Sequence, residues 1–277
     1  MIRDDQGALP TFVIIGAMKC GTTSLHRYLD LHPQISMSGL KETNFFEERW
    51  GRGIGWYRSL FDPEAPVRGE SSTVYTKYPS AEGIPERMHR VIPDARLVYL
   101  VRDPIERIVS HYVHNLDRGR ISTPIERVLA DPRDNHYVHC SRYFFQIERF
   151  LEHWDPARIL VLSLEELSSD PAPALRRVLR HVGADETFEW GRSAFERHGT
   201  SGRKLSPNAV GRVIARGAHP IYRALRDALP PLVGSPLGRV ALPDGLRDEI
   251  AGILAEDVRR LRAFSGESLA GWLPGWS

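Results

Sequence analysis

Thr11–Leu25 reads TFVIIGAMKCGTTSL, and its interpretation decides the fold. The run TFVIIG (Thr11–Gly16) is short, apolar and β-branched, which predicts a strand buried on both faces, as in a parallel sheet. Beyond it, Leu25, Tyr28 and Leu29 fall at helical spacing, and Pro33 ends a predicted helix over Thr22–Leu31. The turn between them holds Gly16, Lys19, Gly21, Thr22, Thr23 and Ser24. A strand-to-helix turn of this kind aims successive N–H groups and a positive helix end at an anion. The glycine spacing matches G-x-x-x-x-G-K-S/T, yet Thr22 stands where that pattern has lysine, and the lysine sits inside the loop at position 19. The expectation is a phosphate-like anion without the usual triphosphate apparatus. The plain alternative is a glycine-bearing turn with a surface lysine.

Outward from this stretch, RLVYLV (Arg96–Val101) and RILVLS (Arg158–Ser163) predict two more buried strands. Helical patterns cover Pro104–Leu116, Ser141–Trp154, Pro171–Val182 and Pro243–Phe264. Strands alternating with long helices predict an α/β fold: a central, mostly parallel β-sheet flanked by helices, with ligands at the carboxyl ends of strands. Arg118–Cys140 and Thr187–Asn208 look irregular and long enough to order over a ligand. No linker stands out among the 277 residues, so one domain over 1–277 is expected.

Composition narrows the classes. With 42% hydrophobic and 26% charged residues the chain is of ordinary globular type. A formal charge of +2 argues against a nucleic-acid-coating protein. Two distant cysteines, Cys20 and Cys140, suit neither a disulfide scaffold nor a cysteine metal site, and fit a reducing cytoplasm. No stretch reads as a signal peptide or as a membrane span. Of 37 Lys and Arg only four are lysine: Lys19, Lys41, Lys77 and Lys204. In so arginine-rich a chain, each lysine invites a question.

Three further segments carry chemistry. Arg102 stands just past a predicted strand, and Ser110 follows two turns up the next helix. A guanidinium fork and a hydroxyl suit a phosphate, although Arg102 pairing with Asp103 or capping a helix is the bland reading. LKETNFF (Leu40–Phe46) sets Lys41 and Glu42 before an aromatic pair; a solvated turn over two core phenylalanines explains it as well. His114 lies four residues after Ser110 on the same helix face. HGTSGRKLS (His198–Ser206) packs glycines, hydroxyls and two cations into a loop able to fold over a phosphate, or into a basic loop with no such role. GESSTVY (Gly69–Tyr75) reads as a polar turn followed by a short strand.

GAMKCGTTSL resembles the 5′-phosphosulfate loop of sulfotransferases that use 3′-phosphoadenosine 5′-phosphosulfate (PAPS), especially heparan-sulfate-type and related bacterial enzymes. Arg102 with Ser110 resembles that family's 3′-phosphate motif. Two separated phosphate sites on one sheet edge point to PAPS rather than ATP. The resemblance implies a P-loop-NTPase-like fold and metal-independent, in-line transfer of a sulfuryl group to a hydroxyl or amine, releasing 3′-phosphoadenosine 5′-phosphate (PAP). It implies that Lys19, Cys20, Gly21, Thr22, Thr23 and Ser24 hold the 5′-phosphosulfate, and that Gly202, Arg203 and Lys204 join the 3′-phosphate. It makes Glu42 or His114 the base, sets Lys41 near the transferring group and turns Glu70 and Tyr75 toward the acceptor. Phe195 is the candidate for stacking on adenine. The acceptor stays open among small natural products, lipids and saccharides, with a cytoplasmic, bacterial-type enzyme favoured. The alternatives are a P-loop small-molecule kinase, which needs magnesium and the missing lysine, and a non-catalytic adenosine-nucleotide binder.

Overall fold

The computed structural model describes residues 7–195, 204–266, 269 and 271–273. Five strands form one sheet: β1 (Phe12–Gly16), β2 (Ile35–Met37), β3 (Val67–Ser71), β4 (Arg96–Val101) and β5 (Ile159–Ser163), in the order β2-β3-β1-β4-β5. Every pairing is parallel. β1 is central and buried along its whole length, as its apolar, β-branched sequence requires. The chain builds β2 and β3 on one side of β1, then crosses to β4 and β5 on the other. That reversal opens a crevice at the carboxyl end of β1, where open α/β sheets bind ligands.

Helix α1 (Thr22–Asp30) leaves β1 through the glycine-bearing turn and buries Leu25 and Leu29, one turn apart, on the core. Helix α2 (Pro104–Asp117) follows β4; Asp103 caps it by accepting the Glu106 N–H at 2.9 Å, and Pro104 occupies the first turn. Helices α3 (Tyr143–Leu151), α4 (Pro171–Val182), α5 (Ala209–Gly217), α6 (His219–Ala228) and α7 (Asp244–Ser265) complete the principal helices. Asp257 of α7 accepts the Phe144 and Phe145 N–H groups at 3.0 and 2.8 Å, joining α7 to the start of α3. A two-stranded antiparallel pair, β6 (Leu205–Pro207) and β7 (Gly234–Pro236), lies outside the main sheet.

The expected strands and helices stand within a few residues of their predicted bounds, with Arg158 displaced into a short 3-10 turn. The segment Gly69–Tyr75 is corrected: the strand comes first, as β3, and a 3-10 helix, Thr73–Thr76, follows. Polar residues are usual in exposed turns, whereas Glu70, Ser71 and Ser72 are all buried here. β2 has only three residues, too few for a period-2 pattern. Arg118–Cys140 is irregular apart from two one-turn helices, Ile125–Val128 and His136–His139.

Candidate active site

The turn after β1 needs both of its glycines. A Cβ on Gly16 would lie 2.0 Å from the Thr76 hydroxyl, and Gly21 has φ +89°. Lys19 also adopts a left-handed backbone, φ +74°, which costs a non-glycine residue energy that the surrounding structure must supply. Arg107 supplies part of that restraint. It is fully buried; its Nε donates to the Met18 carbonyl at 3.1 Å, and Nη1 donates to the Tyr137 carbonyl and Ser141 hydroxyl at 2.9 and 3.1 Å. The start of α1 has no side-chain cap and no acid in its first turn, so nothing of its own there opposes an anion.

Cations gather at this turn. Burial lowers the Lys19 ammonium's pKa, and the charges of Lys204, Arg102 and Arg118 lower it further, with Asp117 opposing. Arg102 and Lys204, expected as 3′-phosphate ligands, thus lie near enough for their charges to act on Lys19. Arg102 Nε is buried without an acceptor, and its guanidinium reaches Glu106 only at 3.8 Å. A buried N–H donor left unpaired and several mutually repelling cations together fit a polyanion such as PAPS. Thr22 is covered, whereas Thr23 and Ser24 are exposed at the helix start, and Ser110 is half-buried on α2. Cys20 corrects one expectation: its Sγ turns inward to 3.7 Å from the Tyr143 hydroxyl, its N–H donates to Ala17, and burial pushes the thiol up to about 11. Its thiol therefore points away from any anion held in the turn. Gly202 and Arg203 lie outside the described residues. Phe195 packs edge-on against Tyr28 of α1, at 5.4 Å between centroids.

Glu42 occupies the carboxyl-end edge beside β3. It too has a left-handed backbone, φ +59°, held by its N–H donating to the Ser71 carbonyl and by Arg49 donating to its own carbonyl, at 2.8 and 2.9 Å. Its carboxylate accepts the Thr73 N–H at 2.7 Å, the Thr73 hydroxyl at 3.1 Å and the Lys41 ammonium at 2.7 Å. That grip orients a partly exposed carboxylate. Lys41 therefore serves Glu42 directly.

Glu70 and Tyr75, expected toward the acceptor, are instead both buried. Glu70 is 0% exposed; Thr43 and Tyr75 donate to it at 2.7 and 2.5 Å, and Tyr57 donates to its other oxygen. Burial raises its pKa while those hydrogen bonds oppose the shift. The cluster ties β3 to a short helix, Gly53–Arg58, and to Thr43, the residue that follows Glu42.

His114 lies in reach of the cation cluster. Burial first, then the charges of Lys19, Arg118, Arg120 and Lys77, push it down to about 3. Four residues outside the sequence candidates also belong to this region. Lys77 is buried enough to lower its pKa and feels Glu42, Arg107 and Arg120. It was the fourth scarce lysine, and that scarcity was the available signal. Arg118 caps the end of α2 one turn beyond His114. Thr73, which holds Glu42, hid in the polar GESSTVY run. His26 has its Nδ1 buried without a partner and feels Lys41 and Glu42, a proximity no local pattern announces.

A family model described as sulfotransferase domain matches residues 9–197, which contain β1 through β5 and every described site residue except Lys204. The chain belongs to the PAPS-dependent sulfotransferase family. It is 30% identical over 249 residues to heparan sulfate glucosamine 3-O-sulfotransferase 3A1 of Mus musculus, covering 80% of this chain and 61% of the relative. It is 32% identical over 194 residues to heparan sulfate glucosamine 3-O-sulfotransferase 6 of Homo sapiens, covering 65% and 55%. The chain thus spans about three-fifths of the length of these curated relatives. Among solved structures, a sulfotransferase from Alicyclobacillus acidocaldarius superposes with TM-score 0.69 at 25% identity, covering 96% of this chain and 99% of that one.

Proposed function

We propose that this sulfotransferase moves the sulfuryl group of PAPS to a hydroxyl of a saccharide acceptor. The carrying observation is Lys19 in the turn before the uncapped start of α1, feeling the charges of Arg102, Arg118 and Lys204, with the Arg102 Nε buried without an acceptor among the described residues. In the step, the acceptor oxygen bonds to sulfur as the bond from sulfur to the bridging phosphate oxygen breaks. PAP leaves with the electron pair of that bond, and the acceptor's proton passes to a base. Lys19 offsets charge growing on the leaving oxygen. Glu42 is the base, since two donors from Thr73 aim its carboxylate. Positioning and charge stabilisation carry most of such a transfer.

The relatives' names support a saccharide hydroxyl. Arg118, Arg120 and Lys77, grouped around His114, favour an acceptor that carries negative charge. The two buried, unpaired thiols, Cys20 and Cys140, support a cytoplasmic setting. A P-loop kinase is disfavoured by Thr22 standing in the lysine position.

Calorimetric titration with PAP, ATP and AMP in the absence of magnesium tests the donor site. Tight binding of PAP alone, weakened at least about tenfold in Arg102→Ala, is the expected result, since a charged hydrogen bond contributes roughly 1.5–3 kcal/mol. Preference for ATP, or binding only with magnesium, sinks the reading. Sulfate transfer from labelled PAPS to hydroxyl-bearing against hydroxyl-blocked oligosaccharides then tests the acceptor.

A further inference from the structure

The part of the chain after the family match is unlike the rest in charge. Residues 204–239 contain Lys204, Arg212, Arg216, Arg223, Arg226 and Arg239 against the single acid Asp227. That segment carries +5 in a chain of net +2, so the remainder is net negative.

This basic segment forms its own small unit. Ala215, Tyr222 and Val233 pack as a cluster separate from the main core. The unit is stitched to the end of α2: Tyr222 donates to the Asp117 carbonyl at 3.2 Å, the Leu205 N–H donates to the Asp117 carboxylate at 3.0 Å, and His219 meets the Arg118 carbonyl at 3.0 Å. It therefore adjoins the edge of the site where Arg118 and His114 sit.

Only one side of the unit is covered. Gly211 marks the inner side of α5, where an added Cβ would lie 1.9 Å from the Val233 carbonyl oxygen. Val210 and Val213 stand away from that contact, exposed, as are Ile221, Leu229 and Leu232, at 49–71%. Among the described residues the other exposed large hydrophobics are Leu31 at 55% and Leu40 at 39%, and both lie in other parts of the fold. Scattered exposure is ordinary; five such side chains on one unit are not. Arg212 and Arg223 are exposed on the same two helices.

We propose that the Ala209–Val233 unit docks this protein on an anionic lipid surface. Apolar side chains interleaved with arginines are what an interfacial helix needs: the former enter the headgroup boundary and the latter meet lipid phosphates. A second copy is a poorer occupant, because a symmetric dimer would set one +3 unit, Arg212, Arg216, Arg223 and Arg226 less Asp227, against another.

The test is co-sedimentation of the full chain with phosphatidylcholine vesicles, with and without phosphatidylglycerol, at low and high salt. The expected result is partition at least about tenfold stronger on anionic vesicles and largely lost in high salt. Val213→Asp and Ile221→Asp should each weaken it several-fold, as should Arg212→Gln with Arg223→Gln. Arg259→Gln, which removes an exposed cation on α7, should leave partition unchanged, and circular dichroism should show all variants folded. Failure to sediment, equal partition on neutral vesicles, or unchanged partition by Val213→Asp overturns the proposal. So does a concentration-dependent dimer in sedimentation velocity that Val213→Asp abolishes, which would assign the face to a second copy. Neither donor nor turnover enters the readout, so the result is separable from the donor-site test.

Discussion

At the scale of single residues, the two side chains assigned to the chemistry share a backbone feature. Lys19 and Glu42 both hold left-handed φ values, +74° and +59°. Such conformations persist where neighbours over-determine them, and each here is held by a buried or half-buried arginine, Arg107 and Arg49. Glu42→Gln keeps the shape and removes the proton acceptor. It should lower kcat by about 10²–10⁴-fold while leaving PAP affinity within about twofold, measured by steady-state kinetics and calorimetry. A matching loss of PAP affinity would make Glu42 a donor ligand instead. His114 titrates at about 3 because burial and the charges of Lys19 and Arg118 disfavour its imidazolium. Bound PAP brings opposite charge to those same cations, so it should raise the His114 pKa. Histidine NMR titration with and without PAP checks this, and a pKa that stays or falls contradicts the placement of the phosphates.

At the scale of elements, the turn from β1 to α1 is a shared structure rather than a property of its own fifteen residues. Gly16 is required by Thr76, whose hydroxyl donates to the Ile15 carbonyl at 3.1 Å from the segment after β3. Gly16→Ala should destabilise the fold by about 1–3 kcal/mol, and Thr76→Ala should recover part of that loss in the double variant, as read by denaturant unfolding. Additive losses would show that the close approach is not the cause. Arg107 of α2 acts on the same turn from the other side. Arg107→Met leaves the Met18 and Tyr137 carbonyls and the Ser141 hydroxyl without this donor, so a loss of about 3 kcal/mol or more is expected, together with weaker PAP binding. Unchanged PAP affinity in the folded variant would free the loop from Arg107.

Across the whole molecule, acid stability combines opposing groups. His114 and His136 are depressed to about 3 and about 4, and His111 is depressed as well, each chiefly by burial. Between pH 6.5 and these values the unfolded chain binds protons that the folded chain refuses, so each histidine removes stability as pH falls. Asp257 acts in the reverse sense: burial raises it to about 6, so it favours the folded state as pH falls below that value. The informative measurement is therefore a difference. The Tm of His136→Gln should fall less than that of the parent from pH 6.5 to pH 4. Parallel curves would mean that His136 protonates freely in the folded state.

The order of strand, anion turn and helix around Lys19 was legible from residues 11–25, because apolar period, glycine spacing and helix signals are local. Arg102, Ser110 and His114 were legible for the same reason, being placed by one strand end and one helix. The sequence by itself determined an α/β chain with a glycine-bearing strand-to-helix turn after β1 and the positions of Lys19 and Arg102 at strand ends. Only the tertiary structure decided which side chains meet. Glu70 looked like a site residue and lies buried among Tyr57, Tyr75 and Thr43, which are 13, 5 and 27 residues away in sequence. Thr73 and His26 looked ordinary, and Lys77 stood out only by its scarcity; Thr73 holds the Glu42 carboxylate, and Lys77 and His26 feel its charge. Burial, charge crowding and hydrogen-bond partners are set by contacts between segments remote in sequence, and no local pattern encodes them.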